Sequence, residues 1–403
     1  MVNEERKRMV GEIPPPIQLM KMKKKVLIVT TISGFLPQFE KNDVSILQGM
    51  GFEIHYASNF KNPVYAFNEK ILEDQGILLH HIDIAKNPSK VAVNIHTIGQ
   101  LKKIIEENNI DLVHCHNPMG GVTARIAAAH SKKKPYVIYT AHGFHFYKGA
   151  SLIHWLLFYS AERILAHYTD QMITINKEDY LRAGQFHLKK GGSVHQIHSV
   201  GVDDCRFAPH REISERKRKE IGVPQTAFHI VTAAELNKNK NQKIIIEALA
   251  KLPDQNLHYS ICGRGANEQA LKQLVLEKQL SDRVHFLGYR TDMEEILQTA
   301  DCFAFPSYRE GLGVAAIEAL LCGVPLIVSD NRGTREYAVE GSNSIVCDAR
   351  RSEEFAAAIH RLYSDRKKRN EMAKSCRTSV EKFTIREVEQ TMRRIYQDAA
   401  ANL

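Results

Sequence analysis

The stretch PSYREGLGVAAIEALLCGVPLIVSD, residues 306–330, reads as the end of a buried strand, a glycine-flanked turn, an amphipathic helix and a second strand. Two carboxylates, Glu310 and Glu318, lie eight residues apart around that turn. Gly311 and Gly313 free the backbone where the helix starts, and unpaired N–H groups at such a start suit an anion or a sugar hydroxyl. Glu318 sits within VAAIEALL, amid apolar residues where an unpaired charge is costly. A two-carboxylate hydrolase is the rival reading. Eight helical residues span about 12 Å, whereas the paired carboxyls of glycoside hydrolases stand about 5 to 9.5 Å apart. Each acid is therefore read as holding a different part of one elongated ligand.

Outward from this unit the same alternation runs through the chain. Strand-like runs occupy 25–31, 53–58, 77–82, 110–115, 136–141 and 171–175, with helical patterns between them, among them 93–108 and 151–168. The second half repeats the scheme at 228–234, 257–262, 284–288, 302–306, 325–329 and 344–348. Continuous Val/Ile-rich strands alternating with helices predict parallel sheets covered on both faces. Two such series predict an α/β protein of two doubly wound, Rossmann-like domains facing across a cleft. The expected layout is a basic extension over 1–22, one domain over 23–203, a second over 204–383, and a terminal helix over 384–403 with Thr384 as its N-cap. The aperiodic stretch 199–220, with Gly201, Pro209 and a run of charges, reads as the hinge.

Bulk properties narrow the function classes. The chain has 403 residues, 43% of them hydrophobic, enough for two full cores. No run of about 20 apolar residues offers a membrane span. The basic start contains Pro14–Pro16 but no apolar segment of a secretory leader, and Met20 or Met22 would serve as an alternative first residue. Seven cysteines stand singly, several within apolar runs, which predicts reduced, buried thiols in a cytoplasmic protein. A net charge of +9 suits anionic partners. Nucleic acid ranks last among them, since no basic signature interleaved with aromatics is present.

Ligands of open parallel sheets bind at the carboxyl ends of the strands. Gly34 follows the first strand, without the GxGxxG of dinucleotide binding. YTAHGFHFYKG places His142 and His145 around Gly143, and HCHNP adds His114 and His116. No carboxylate is spaced to complete a metal site with these histidines, so no metal is expected. They are read as a polar cleft wall, with His142 as a hydrogen-bonding or proton-handling group. AAELNKNKNQK puts Lys240 at a helix start where phosphate would be welcome, and CGRG brackets Arg264 between Gly263 and Gly265.

Together these pieces resemble the E-x7-E glycosyltransferases of family 4, which are retaining enzymes of the GT-B fold. The likeness runs from Lys23 onward. It includes LVHCHNP, AHGFHF, Gly201–Pro209, Lys240, CGRG, GYRTD and GVPLIVSDNRGTREYA, and its first half is similar to bacterial capsular and exopolysaccharide transferases. The resemblance implies that Glu310 contacts the donor sugar beside the Gly311, Leu312 and Gly313 amides, that Glu318 binds the ribose, that Lys240 neutralises the diphosphate and that Arg290 lies near the base. It implies that His142 and Gly34 close the site, with Glu310 and His142 in the catalytic roles and the final helix crossing back to the first domain. Where the family often has Gly-Arg, this chain has Ala234-Glu235, so Arg264 or Lys238 would supply the second cation. The implied reaction moves a hexose or N-acetylhexosamine from a UDP-sugar to a polyprenyl-diphosphate-linked saccharide at the inner membrane face, without metal or other cofactor. The helix 151–168 and the basic extension could touch an anionic membrane surface, but Trp155, Leu156 and Leu157 are read first as core. A sugar-nucleotide epimerase and a non-catalytic nucleotide-sugar-binding subunit are the competing functions.

Overall fold

The computed structural model describes residues 23–61, 63, 67–147, 149–198, 201–210 and 214–403. The extension 1–22 and parts of the expected hinge lie outside them. Thirteen strands form two parallel sheets. β1 (Lys25–Val29), β2 (Glu53–Ser58), β3 (Ile77–His81), β4 (Leu112–His116), β5 (Tyr136–Ala141), β6 (Gln171–Thr174) and β7 (Ser193–Gln196) build the first, in the order β3-β2-β1-β4-β5-β6-β7. β8 (Phe228–Ala233), β9 (Leu257–Cys262), β10 (Val284–Gly288), β11 (Cys302–Phe305), β12 (Leu326–Ser329) and β13 (Ser344–Cys347) build the second, in the order β10-β9-β8-β11-β12-β13. Both are doubly wound, with a strand-order reversal beside β1 and beside β8.

The central strands read as apolar runs because both of their faces are covered. Val26, Leu27, Ile28 and Val29 are all solvent-inaccessible, with Val26 registered against Ile54 and Leu112. β7 escapes that reading. SVHQ is polar and half-buried, an edge strand paired to β6 alone, so it lacks the hydrophobic signature of its neighbours. Within the expected hinge, Ser214–Glu220 is a helix rather than irregular chain, anchored by buried Lys217 and Arg218. The Lys217 ammonium meets Glu220, Asp292 and Glu295 at 2.7–2.8 Å.

Chain crossings between the two sheets run side by side. Val202 N–H donates to the Phe383 carbonyl and Ile385 N–H to that of Val202. The helix Ile385–Ala401 then packs against Lys41–Gly49 of the first domain. Its Tyr396 hydroxyl donates to Asp43 Oδ2 at 2.8 Å and lies 2.8 Å from His114 Nδ1. Thr384 occupies the N-cap position, yet its hydroxyl donates back to the Glu381 carbonyl instead of capping.

The domains are clasped by a buried ion pair. Arg332, in the loop after β12, donates to Asp179 at 2.7 Å and to the Phe144 carbonyl at 2.7 Å. Asp179 also accepts from Phe144 N–H and Asn176, and Asn176 reaches over to the Gly311 carbonyl at 3.1 Å. Burial pushes the Asp179 pKa up and the Arg332 pKa down, each against the pull of its partner. Desolvation thus consumes much of the pair's attraction, while an orphaned partner would be left as a bare charge. Asp179→Ala is expected to cost about 3–5 kcal/mol in urea unfolding. A paired Asp179→Leu/Arg332→Met replacement should recover most of that loss, and an equal deficit in single and double variants would refute the clasp.

Candidate functional site

The cleft is lined by strand ends of both sheets. In the C-terminal domain β8 ends at Ala233, and its loop carries Lys240 into contact with the loop after β11. Lys240 Nζ donates to Glu310 Oε1 at 2.7 Å and lies 5.4 Å over the Phe305 ring. Backbone pairing holds the two loops together: Tyr308 N–H donates to the Asn239 carbonyl, and the Asn239 amide to that of Arg309. Glu310 is buried, and its carbonyl accepts from Arg332 Nε at 3.3 Å. The sequence-selected Lys240 and Glu310 are therefore brought together, and the domain clasp holds the same loop.

After Glu310 the helix Val314–Leu321 begins at Gly313, which has φ +92° and provides no side-chain cap. A β-carbon there would lie 2.6 Å from the Phe305 ring, so glycine is required on both counts. Gly311 is required by proximity: its β-carbon would stand 2.1 Å from the His142 carbonyl. The Glu310 loop and the HGF loop of the first domain are thus in backbone contact, with Leu312 buried between their neighbours.

Glu318, one helix further on, has its pKa pushed up to about 7 by burial, against the pull of Arg206 and with the push of Glu294. Arg206 is itself committed to Glu294 at 2.7 Å. Arg290 follows β10 and is gripped by Asp292 at 2.5 Å and Glu220 at 2.6 Å. Gly263 and Gly265 are explained by backbone pairing, because β-carbons there would meet the Ala234 and Leu236 carbonyls at 1.9 and 2.3 Å. Arg264, between them, is exposed, as is Lys238. Glu235, at the departure from the family pattern, is exposed too, and its carbonyl accepts from Gln242 Nε2 and the Asn237 N–H.

On the opposite wall Gly34 is the N-cap of Phe35–Phe39, and the Phe35 ring meets the His142 ring edge-on at 4.9 Å. His142 Nε2 lies 3.2 Å from His116 Nδ1 and 3.5 Å from Glu40 Oε1. Here the expectation that no carboxylate joins the histidines fails. Glu40 and Asp43 come from the first crossover, far off in sequence, and stand against His116 and His114 at 3.4 and 3.8 Å. Burial holds His114, His116 and His142 neutral and pushes the carboxyls of Glu40 and Asp43 upward. Asp179, Asn176 and Arg332 were likewise missed. The only local signal was the Asn176-to-Asp179 cap, in which Asp179 N–H donates to Asn176 Oδ1.

Residues 213–379 match the family model described as Glycosyl transferases group 1, and residues 25–176 match Glycosyl transferase 4-like. EpsD of Bacillus subtilis (strain 168), which carries the name of a glycosyltransferase, is 38% identical over 346 residues, 85% of this chain and 88% of EpsD. The chain belongs to this glycosyltransferase family. A second glycosyltransferase of the kind is the UDP-Gal:alpha-D-GlcNAc-diphosphoundecaprenol alpha-1,3-galactosyltransferase of Escherichia coli. It is 29% identical over 301 residues, 71% of this chain and 75% of that one. In fold this glycosyltransferase is similar to Anabaena Alr3699/HepE in complex with UDP-glucose, with TM-score 0.76 and 19% identity, covering 93% of this chain and 99% of HepE. Its two facing Rossmann-like domains are the GT-B architecture.

Glu318 yields a prediction whose sign follows from its direction. Its folded pKa of about 7 exceeds the ordinary 4.5, so between those values the folded chain holds more protons than the unfolded one. Stability therefore falls as pH rises through this window, and the deficit persists above it. Glu318→Gln is expected to stabilise the ligand-free protein by about 2 kcal/mol at pH 8, with the gain vanishing near pH 4. Thermal unfolding at the two pH values checks this; an unchanged difference between them would contradict it.

Proposed function

We propose that this glycosyltransferase moves a hexose or N-acetylhexosamine from a UDP-sugar, with retention, to a polyprenyl-diphosphate-linked saccharide in capsular or exopolysaccharide assembly. The observation that carries the reading is the Lys240–Glu310 pair beside an uncapped helix start. Breaking the bond from sugar to diphosphate leaves negative charge on the nucleotide. A cation and free amides fixed at that point stabilise it without reorganisation. In this reading Lys240 exchanges part of its contact with Glu310 for the diphosphate, exposed Arg264 adds the second positive charge, and Glu310 turns to the sugar hydroxyls. The Gly311, Leu312 and Gly313 amides border the sugar, Glu318 takes the ribose, Arg290 lines the base, and Gly34 and His142 close the site from the other wall. No further ion is needed at the diphosphate.

Two features of relatives support the donor and the outcome. HepE was crystallised with UDP-glucose. The Escherichia coli relative's name joins UDP-Gal to an alpha-1,3 product, and since UDP-galactose holds its sugar in α linkage, that product means retention. Its acceptor is a diphosphoundecaprenol sugar, the source of the acceptor class proposed here.

A lipid-linked acceptor requires a face turned to the bilayer, and the first domain offers one. The core reading of Leu156 and Leu157 is overturned: they are 72% and 59% exposed, with Leu152 at 86% and Ile153 at 68%. Only Trp155 of that trio packs inward, against Phe146 and Tyr159. The helix winds as a π-helix over Trp155–Tyr159, which turns the leucines outward as the Trp155 ring stays in. Exposed Val91 and Ile95, with Lys86 and Lys90, start another helix of the same layer. Both helices follow the carboxyl ends of their strands, β3 and β5, the end of the sheet at which the cleft opens. We assign an anionic bilayer surface to this apolar patch. Among the described residues no helix is long and apolar enough to cross a membrane.

Lys240→Ala is expected to lower kcat for sugar transfer by about a hundredfold to a thousandfold, while a UDP-sugar still protects the protein from thermal unfolding. Unimpaired turnover would remove Lys240 from the reaction. Sedimentation with anionic liposomes should recover the wild type in the pellet and leave Leu152→Glu/Leu156→Glu in the supernatant; equal partition of both would exclude the patch.

A further inference from the structure

We propose that Glu40, His116 and His142 form a binding site for one divalent transition cation of the zinc class, set in the N-terminal wall of the cleft. Glu40 Oε1 stands 3.4 Å from His116 Nδ1 and 3.5 Å from His142 Nε2, and the two nitrogens are 3.2 Å apart. The three atoms make a nearly equilateral triangle. Ligands bound at about 2.1 Å with tetrahedral angles lie about 3.4 Å from one another, and with right angles about 3.0 Å. The observed edges, 3.2, 3.4 and 3.5 Å, scatter about the tetrahedral value.

Each of the three residues offers one ligand atom, and the three atoms lie close enough together to share one ion. Two of them can share one hydrogen, between the rings. The third cannot join: Glu40 Oε1 is buried and takes no hydrogen bond from any group among the described residues. A desolvated carboxyl oxygen without a donor is costly, and a cation at the centre would relieve it. Asp43 adds a second carboxyl beside Glu40, and no described lysine or arginine forms an ion pair with either.

An overlapping set, Asp43, His114 and His116, is spaced for an ion as well. Two of its three members, Asp43 and His114, are already satisfied from within. The Tyr396 hydroxyl donates to Asp43 Oδ2 and meets His114 Nδ1, and His114 Nε2 is engaged by Thr140. The terminal helix thus plugs that set and leaves the other open. Access is through His142, whose side chain is 18% exposed against 1% for His116 and 6% for Glu40. Three protein ligands with an open side are the pattern of ion sites that also take a water or a substrate hydroxyl. In the proposed function the acceptor approaches over the first domain and would bring such a hydroxyl. The site is separate from Lys240 and stands whether or not the donor assignment does.

The test uses the full chain, with any affinity tag removed, stripped by chelator and titrated calorimetrically with zinc sulfate. One equivalent is expected to bind, and cobalt(II) in its place should give the intense visible absorption of a low-coordinate nitrogen–oxygen site. Glu40→Gln and His116→Gln should each weaken zinc binding by about a hundredfold, the loss of one ligand of three, and abolish the zinc-induced rise in Tm seen in the wild type. His114→Gln should retain binding. Should the buried variants fail to fold, His142→Gln and the wild-type cobalt spectrum decide. Substoichiometric zinc in the wild type, a weak octahedral cobalt spectrum, or binding lost in His114→Gln but kept in Glu40→Gln would overturn the assignment.

Discussion

Arg332 and Asp179 are the contact on which the geometry of the cleft depends. The guanidinium ties together three strand-end loops: it binds Asp179 from the helix after β6, the Phe144 carbonyl after β5 and the Glu310 carbonyl after β11. With the Asn176–Gly311 hydrogen bond, it presses the backbone of Gly311 against that of His142. The pair does little for net stability, because both charges lose their hydration. Its value is positional: the two sheets are registered to within a hydrogen-bond length at the cleft between them.

That arrangement explains why this pocket divides its labour by domain. The C-terminal wall presents a cation, amide donors and half-buried acids, a set matched to phosphates and hydroxyls. The N-terminal wall presents neutral imidazoles and carboxyls held away from water. The first set is suited to charge that appears during a reaction, and the second is poor at that but suited to hold a proton or an ion in place. Gly311 lies at the seam, where even one added methyl group would force the walls apart.

Much of this was legible in the sequence. Strands such as Lys25–Val29 and Phe228–Ala233 announce themselves because a sheet buried on both faces tolerates only apolar side chains. Glu310 and Lys240 stand out as charges in turns that otherwise serve to end strands. What stayed hidden depends on distance along the chain. Asp179 and Arg332 are 153 residues apart, and each alone looks like an ordinary surface charge. Glu40 closes onto His116 and His142 only because β1 and β5 flank β4 in the sheet. Leu156 was misread for a different reason: helical periodicity assigns faces at 3.6 residues per turn, and a π-turn breaks that count.

The paired crossings at Val202 and Phe383–Ile385 have a mechanical corollary. Two strands of covalent chain bonded to each other act as one pivot and not as two tethers, so sliding and twisting are suppressed and a swing about a single line is what remains. Displacement in such a swing grows with the lever arm. The apolar rim around Leu152 and Leu156 would travel further than the Gly311 seam, so a lipid surface holding that rim would also set how wide the jaws stand.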